Sequence, residues 1–274
     1  MTVTLAQLTR RAATAEANVH ALLPGTRRLI AIASGKGGVG KTWFAATLAQ
    51  SLARRGRNVL LFDGDLGLAN VDIQLGLLPQ HDLNAVFAGV SQLREVVTPY
   101  AGEGLAQGFD VIAGRSGAAS LGRLQPAALA QLRDDLARLA MAYDHVILDL
   151  AAGVDTAVTT LADHGGLIYV VATPDPTSLT DAYAFIKLLH QRRQGCDVRV
   201  IINMAQDRGE GARTYDTLLR TTEHFLKISP PLAGIIRRDK NVVAAIRQQT
   251  PMLARFSASP AAEDVAAIAD KLLL

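Results

Sequence analysis

The sequence contains a single cysteine, Cys196, and few aromatic residues. One cysteine excludes an internal disulfide and a cysteine zinc cluster, and it is typical of a protein that works in a reducing cytosol. Aromatic residues make up 5% of the 274 positions, too few for a stacking platform that binds single-stranded nucleic acid. No apolar run is long enough to cross a bilayer. These absences favour a cytoplasmic protein.

The arrangements needed for several common kinds of catalysis are also missing. The six histidines show no metal-ligand spacing, and no G-x-S-x-G motif indicates acyl transfer. The net charge of +3 is compatible with anionic partners but does not identify one. Hydrophobic residues make up 49% of the chain, which is enough for a buried core.

From residue 29 onward, short apolar runs alternate with helix-like stretches. The strand candidates are Leu29–Ser34, Asn58–Asp63, Phe109–Ala113, His145–Asp149, Leu167–Ala172, Val198–Asn203 and Leu232–Ile236. The helix candidates are Thr42–Arg55, Pro126–Ala142, Thr156–Ala162, Ser178–Arg193, Gly211–Leu226, Asn241–Gln248 and Pro260–Leu273. This alternation predicts an α/β fold: a single doubly wound, mostly parallel sheet flanked by helices, with ligands beyond the carboxyl ends of the strands.

The first 28 residues form a separate segment. Apolar residues recur at near-helical spacing between Leu5 and Leu22, and Pro24-Gly25 interrupts the pattern before the first strand candidate. We therefore expect a helical N-terminal extension, residues 1–28, followed by one α/β domain, residues 29–274. The extension is either a helix packed on the domain or a segment that binds a partner.

The strongest motif matches every fixed position of the phosphate-loop pattern G-x-x-x-x-G-K-[ST]. Its residues are Gly35, Lys36, Gly37, Gly38, Val39, Gly40, Lys41 and Thr42. The motif lies between a strand candidate and a helix-like run that begins at Trp43, which is the setting that a phosphate loop needs. We expect this loop and Trp43 to bind a nucleotide, with Lys41 on the β and γ phosphates and the Thr42 hydroxyl on Mg²⁺.

Carboxylates follow two further strand candidates. Asp63 and Asp65 begin the stretch DGDLGLANVD, residues 63–72, after the second strand candidate. Asp149 ends the apolar run VILD, which has the Walker B form, and we expect it to hold Mg²⁺. Hydrolysis also needs a group that positions water in line with the γ-phosphate, and an acidic residue at a neighbouring strand end can do this. We expect Asp72 to cap the helix that follows.

Lys36 is a second lysine that an ordinary phosphate loop does not need. The sequence GKGGVGKT resembles the deviant Walker A motif of the MinD/ParA ATPases, and DGDLGLANVD resembles the switch I segment of MinD-like members of that family. The resemblance implies a MinD-like P-loop NTPase fold, ATP and Mg²⁺ as cofactors, and a homodimer when ATP is bound. It also implies that Lys36 reaches the nucleotide of the other subunit, that Asp65 orients the attacking water, and that Asp63 belongs to the Mg²⁺ network.

The same resemblance assigns two more residues. It implies that the backbone N–H of Gly153 meets the γ-phosphate and that Asn203 contacts the adenine. The chain departs from the family pattern at Leu150 and Ala151, which replace a small hydroxyl residue and a proline in switch II, and at Arg237, which replaces a proline. No N-K-x-D motif appears at a strand end, so ATP is favoured over GTP.

Within that family, DGDLGLANVD followed by LGL at residues 75–77 is similar to the FlhG/FleN branch of flagellar regulators. The similarity implies control of flagellar number or placement, with a protein partner such as the GTPase FlhF or a flagellar transcription regulator. Two alternatives stay open: a ParA-like positioning ATPase for DNA or another cellular cargo, and a non-hydrolysing ATP-binding regulator of a transcription factor.

Relatives in this group usually end in a basic amphipathic helix that binds the membrane. Here the last helix candidate, Pro260–Leu273, is acidic and alanine-rich with little cationic face. We therefore do not expect this helix to bind a membrane. The expected location is the cytoplasm, with a polar or membrane-peripheral position at the inner membrane as the open alternative.

Overall fold

The computed structural model describes residues 23–81, 83–101, 108–114 and 124–274. Within them, eight strands form one sheet: β1 (Leu29–Ser34), β2 (Val59–Gly64), β3 (Thr98–Tyr100), β4 (Phe109–Ile112), β5 (His145–Ala152), β6 (Leu167–Ala172), β7 (Asp197–Ala205) and β8 (Leu232–Arg237). Their order across the sheet is β3-β4-β2-β5-β1-β6-β7-β8. Strand β3 is antiparallel to β4, and the other pairings are parallel. The predicted doubly wound, mostly parallel sheet is confirmed.

Helices cover both faces of this sheet. In chain order they are α1 (Lys41–Ala53), α2 (Val71–Leu75), α3 (Leu83–Phe87), α4 (Pro126–Leu139), α5 (Thr156–Ala162), α6 (Pro176–Arg192), α7 (Arg208–Leu226), α8 (Lys240–Arg247), α9 (Met252–Phe256) and α10 (Pro260–Leu272). Buried residues of α1 and α10 pack with Ile30 and Ile32 on one face, and those of α4, α5 and α6 pack with Ala31 and Ala33 on the other. No helix in the described ranges is both long enough and apolar enough to span a membrane.

Strand β1 lies inside the sheet, between β5 and β6. The chain continues from β1 to β2 on one side, whereas β6, β7 and β8 extend the sheet on the other side. This change of direction leaves a crevice at the carboxyl end of β1, where open α/β sheets bind their ligands. The phosphate loop follows β1 directly, so the fold places it at the crevice.

The predicted strands and helices are all present, with ends that differ from the prediction by at most three residues. Strands β1 and β6 and helix α5 have the predicted bounds. Strand β5 continues past the predicted end at Asp149 to Ala152, because this segment pairs with Ser34 of β1 and no proline interrupts it. The sequence pattern does not predict the edge strand β3 or the one-turn helices α2, α3 and α9, since each is too short for its apolar residues to show a regular spacing.

The predicted helical extension over residues 1–28 lies mostly outside the described residues, which begin at residue 23. Its last part, Thr26–Arg28, forms a single 3-10 turn. The Arg28 guanidinium donates hydrogen bonds to the carbonyl oxygens of Met141, at 2.9 Å, and Tyr143, at 2.6 Å. These bonds attach the start of β1 to the segment that leads into β5.

A buried histidine, His164, lies in the turn before β6. His164 is 3% exposed, and its Nδ1 atom accepts a hydrogen bond of 2.9 Å from the backbone N–H of Gly166. Burial, with Arg193 and Arg133 nearby, lowers the pKa of His164 to about 3. No described residue is a hydrogen-bond partner of Nε2. The folded protein therefore keeps this ring neutral, because a proton on Nδ1 would break the bond from Gly166.

We expect the contribution of His164 to the unfolding free energy to decrease as the pH falls below about 6.5, where the unfolded imidazole takes up a proton and the folded one does not. The contribution of His164 is fully present above that pH, and about 2 kcal/mol of unfolding free energy is lost by pH 5. Denaturant unfolding of the wild type and of His164→Asn at pH 7 and pH 5 measures this loss, as the difference between the two proteins.

The variant His164→Asn, whose amide oxygen can accept the Gly166 bond, should lose this part of the pH dependence. His224→Asn replaces an exposed ring on α7 and should keep the wild-type dependence. The same change in unfolding free energy for His164→Asn and wild type would contradict the assignment.

Candidate functional site

The phosphate loop leads directly into helix α1. Gly38 and Gly40 have φ values of 77° and 88°, in the left-handed region that residues with side chains rarely adopt. Gly40 is the N-cap of α1, so the positive end of the helix dipole lies at the loop. A Cβ atom on Gly40 would come within 2.5 Å of Nδ2 of Asn203. Glycine at this position therefore allows both the left-handed backbone and the close packing against Asn203.

Lys41 is the buried cation of the loop. Its side chain is 8% exposed, and Nζ donates a hydrogen bond of 3.0 Å to the hydroxyl of Ser34. Burial lowers the pKa of Lys41, and the carboxylates of Asp149 and Asp65 act in the opposite direction. The ammonium group is thus placed between the loop and the two carboxylates.

Asp63 is fully buried beside Asp149, its neighbour across the parallel strands β2 and β5. The Asp63 carboxylate accepts hydrogen bonds from the backbone N–H groups of Asp65, at 3.2 Å, Asn70, at 2.9 Å, and Val71, at 3.0 Å. Burial raises its pKa to about 7, although these three bonds act against the shift. Asp63 therefore holds both ends of the loop that connects β2 to α2.

The prediction that Asp72 caps the next helix is wrong. Helix α2 begins at Val71 with Asn70 in the N-cap position, and the Asp72 carboxylate accepts the N–H of Ile73 beside it. The side chain of Asp63 takes the capping role instead, since it accepts the N–H groups of Asn70 and Val71 at the start of the helix.

Asp149 carries a carboxylate oxygen that no described residue uses. The residue is 2% exposed, and its Oδ1 atom has no hydrogen-bond partner among the described residues. Burial and the adjacent Asp63 raise the pKa of Asp149 to about 8, and a hydrogen bond with Thr42 opposes the shift. A buried carboxylate oxygen beside a hydroxyl group suits a hard cation such as Mg²⁺.

The cation would need ligands from outside the protein. The described ranges contain no group of three or more His, Cys, Asp or Glu side chains that could hold a metal ion by themselves. Mg²⁺ binds through one or two carboxylates and keeps several waters or phosphate oxygens. The donor set of Asp149 and Thr42, with Asp63 nearby, fits that preference.

A cavity of about 590 Å³ opens from the phosphate loop. Asp65, Trp43 and the apolar side chains Val242, Val243 and Ile246 of α8 also line it. A cavity that combines an anion site with apolar side chains has the character of a nucleotide site.

Asn203 lies in β7, next to the loop, and is 4% exposed. Its Nδ2 atom donates to the carbonyl of Val39 at 2.7 Å, and its Oδ1 atom accepts the N–H of Met204 at 2.9 Å. Met204 has a φ of 60°, an uncommon value for a residue with a side chain. Asn203 therefore supports the loop as well as lining the cavity. Its contact with adenine stays a prediction, which the second hydrogen of the amide could serve.

Gly153 follows the extended end of β5. Leu150, Ala151 and Ala152 continue the strand, and Ala152 pairs with Ser34. Gly153 then adopts a φ of 103°, and its N–H donates to the carbonyl of Ser34 at 2.9 Å. The predicted contact of this N–H with a γ-phosphate would require it to leave the Ser34 carbonyl.

Lys36 is bonded within its own chain. Its Nζ atom lies 3.1 Å from Oδ2 of Asp175 and also donates to the hydroxyl of Thr177. Asp175 is the N-cap of α6, and hydrogen bonds from Thr177 and Lys36 lower its pKa to about 2. The side chains of Lys36 and Asp175 are 38% and 49% exposed. The predicted reach of Lys36 into a second subunit would have to replace this exposed ion pair.

The contacts of two residues of the site, Ser34 and Arg237, are not indicated by any sequence motif. Ser34 contacts Lys41 and Gly153, and its only sequence signal is a hydroxyl residue at the end of the strand before the loop. Arg237, at the edge of the cavity, bonds the buried carboxylate of Asp264 through Nε at 2.8 Å and Nη2 at 3.0 Å. The two residues are 27 positions apart, a separation that no local pattern reveals.

The comparisons with known proteins agree with this geometry. The CobQ/CobB/MinD/ParA nucleotide binding domain matches residues 30–252. The chain is 36% identical over 245 residues to the antiactivator FleN of Pseudomonas aeruginosa, which covers 89% of this chain and 86% of that protein. It is 33% identical over 201 residues to the flagellum site-determining protein YlxH of Helicobacter pylori, with 73% of this chain and 66% of that protein covered.

Solved structures of MinD share the fold. The cell division ATPase MinD of Pyrococcus furiosus superposes with a TM-score of 0.74 at 23% identity, over 90% of this chain and 98% of that one. MinD of Pyrococcus horikoshii, solved in complex with Mg-ADP, gives 0.73 at 23% identity over 89% and 95% of the two chains. Together with the matched domain and the FleN relative, these findings show that the chain belongs to the CobQ/CobB/MinD/ParA family of P-loop nucleotide-binding proteins.

Proposed function

We propose that this chain is a Mg²⁺-dependent ATPase that works as a dimerising molecular switch and regulates the number or placement of flagella. One observation carries the biochemical part: the phosphate loop, the buried Lys41 ammonium and the unused oxygen of Asp149 beside Thr42 converge at one crevice. The similarity to FleN and YlxH supports the biological part.

Each residue has a defined task in this proposal. The loop N–H groups and Lys41 bind the triphosphate, and Thr42 and Asp149 hold Mg²⁺, which neutralises charge on the phosphate oxygens when it is bound. Asp65 orients the attacking water, since its carboxylate lines the cavity and its Oδ1 atom is held by the N–H of Leu68 at 2.9 Å.

Dimerisation depends on Lys36 in this proposal. In the ATP-bound homodimer, Lys36 leaves Asp175 and Thr177 and contacts the nucleotide of the other subunit. A second cavity of about 550 Å³ lies beside Lys36 and Asp175 and leaves space for an approaching chain. The γ-phosphate favours the dimer because ADP lacks this group, whose negative charge the second lysine would contact.

A protein partner completes the switch. FleN is described as an antiactivator and YlxH as a flagellum site-determining protein, so we assign this chain a partner such as a flagellar transcription regulator or FlhF. A solved MinC:MinD complex of Aquifex aeolicus is an example of partner binding on this fold. We place the switch in the cytoplasm, where ATP-bound dimer holds the partner and hydrolysis releases it.

The only tryptophan of the chain, Trp43, reports on nucleotide binding. It is 5% exposed, follows Thr42 and lines the cavity. Adding ATP with Mg²⁺ should change its emission saturably, and Lys41→Ala should weaken binding at least about tenfold because a contact between charged groups is lost. Fluorescence titration beside calorimetry measures both effects.

The control for the emission signal is Trp43→Phe, which removes the only tryptophan and should therefore lose the ATP-dependent change in emission. Calorimetric binding with unchanged emission of the wild-type protein would place the nucleotide away from α1.

Two variants separate hydrolysis from dimerisation. Asp65→Ala should bind ATP and hydrolyse it at least about a hundredfold more slowly, because no carboxylate positions the water, and it should accumulate as a dimer. Lys36→Gln should bind ATP and stay monomeric. Phosphate release and sizing chromatography with ATP measure the two outcomes.

Asp72→Ala is the control for this pair, since its carboxylate bonds only the adjacent N–H of Ile73 among the described residues. It should behave as the wild type. The proposed mechanism is rejected if Asp65→Ala stays monomeric with ATP or if Lys36→Gln dimerises normally.

Deletion of the gene should change flagellation in the organism that encodes it. An antiactivator restrains flagellar synthesis, so we expect more flagella per cell or flagella at abnormal positions. Counting flagella by electron microscopy measures this, with complementation by the wild type and failure to complement by Lys41→Ala. Unchanged flagellation would reject the biological role and leave the ATPase role intact.

A further inference from the structure

Ser34 joins three parts of the site at one buried residue. It is the last residue of β1 and is 0% exposed. Its hydroxyl accepts a hydrogen bond from Nζ of Lys41 at 3.0 Å and donates one to the carbonyl of Lys36 at 2.6 Å. Its own carbonyl accepts the N–H of Gly153 at 2.9 Å. The start of the loop, the end of the loop and the segment after β5 therefore meet at Ser34.

The hydrogen bond from Ser34 to the Lys36 carbonyl fixes the orientation of the first peptide group of the loop. A phosphate loop binds its anion through N–H groups, and a carbonyl oxygen turned toward the anion would repel it. The carbonyl of Lys36 is engaged by the Ser34 hydroxyl beneath the loop, so it cannot turn toward the anion site. The first peptide of the loop thus keeps the orientation that anion binding needs.

The hydrogen bond from Lys41 to the Ser34 hydroxyl fixes the position of the ammonium group. Lys41 is buried, which lowers its pKa, and the nearby carboxylates of Asp149 and Asp65 act in the opposite direction. The Ser34 hydroxyl is an uncharged acceptor that holds one of its three N–H groups. The other two stay available to a ligand on the loop side.

We propose that Ser34 is a positioning residue of the phosphate site, whose hydroxyl orients both the Lys41 ammonium and the Lys36 carbonyl so that the loop is preformed for a nucleoside di- or triphosphate. This inference rests on the proposed function, since it assumes that nucleotide phosphates bind at the loop. Ser34 does not touch the ligand; it acts through Lys41 and the loop backbone.

Ser34→Ala removes both hydrogen bonds without adding volume. We expect ADP and ATP to bind about tenfold more weakly, the loss expected for one hydrogen bond to a charged group. The affinity for AMP should change less than about twofold, because AMP lacks the phosphates that Lys41 contacts. In turnover, KM for ATP should rise while kcat stays within about threefold. Trp43 emission and calorimetry give the affinities, and phosphate release gives the kinetic values.

The conservative variant Ser34→Thr keeps the hydroxyl and should restore ADP affinity to within about threefold of the wild type. Ser51→Ala is the matched control, because Ser51 of α1 is also 0% exposed and its hydroxyl accepts a bond of 2.7 Å from Arg55, just beyond the end of that helix. It should leave all affinities unchanged. Thermal melting of each variant reports whether the fold persists; if Ser34→Ala does not fold, Ser34→Cys, with its weaker hydrogen bonds, replaces it in every comparison.

Three results would overturn the inference: equal ADP affinity of Ser34→Ala and wild type, an equal loss for AMP, or no rescue by a folded Ser34→Thr. Each leaves the proposed ATPase standing if the wild type binds ATP. A wild-type protein that binds no nucleotide would instead reject the proposed function itself, before any variant is compared.

Discussion

The site depends on two carboxylates buried side by side with a buried ammonium group. The parallel register of β2 and β5 places Asp63 next to Asp149, and the loop after β1 brings Lys41 to the same place. Burial disfavours the charged forms, so the pKa of each carboxyl is raised and that of Lys41 is lowered. Hydrogen bonds from backbone N–H groups compensate for the burial of the Asp63 carboxylate, whereas Asp149 keeps an oxygen without a partner among the described residues. A bound cation would supply a partner for this oxygen.

The hydrogen bonds to the Asp63 carboxylate also fix the conformation of the surrounding chain. By accepting N–H groups from Asp65 and from Asn70 and Val71, the carboxylate closes the loop after β2. That closure sets where the backbone of Asp65 lies, and hence where its side chain enters the cavity. The proposed water-positioning residue therefore gains its position from a buried structural carboxylate two residues earlier. A substitution at Asp63 would disturb Asp65 even where the cation site survived.

The sequence predicts the fold and the strand-end motifs well, because both depend on local patterns. Apolar runs mark the strands, and the phosphate loop is contiguous. The pattern does not predict contacts between distant segments. Lys36 meets Asp175 from 139 positions away, and β5 continues to Ala152 because that segment pairs with Ser34 on the neighbouring strand. Asp72 has the residue type of a helix cap, yet Asp63 caps the helix because the loop after β2 folds back onto its carboxylate. Such outcomes depend on packing and not on spacing.

Two contacts in the present structure would have to exchange in the proposed ATP-bound dimer. Lys36 would leave Asp175 and Thr177, and Gly153 would leave the carbonyl of Ser34. The first is an exposed ion pair, a class that contributes little to stability, and the second is one backbone hydrogen bond, about 1 kcal/mol net. A ligand shifts a conformational equilibrium only by its differential affinity for the two states. Because both contacts are weak, the γ-phosphate and a second lysine need little differential affinity to move the equilibrium, and hydrolysis can reverse it.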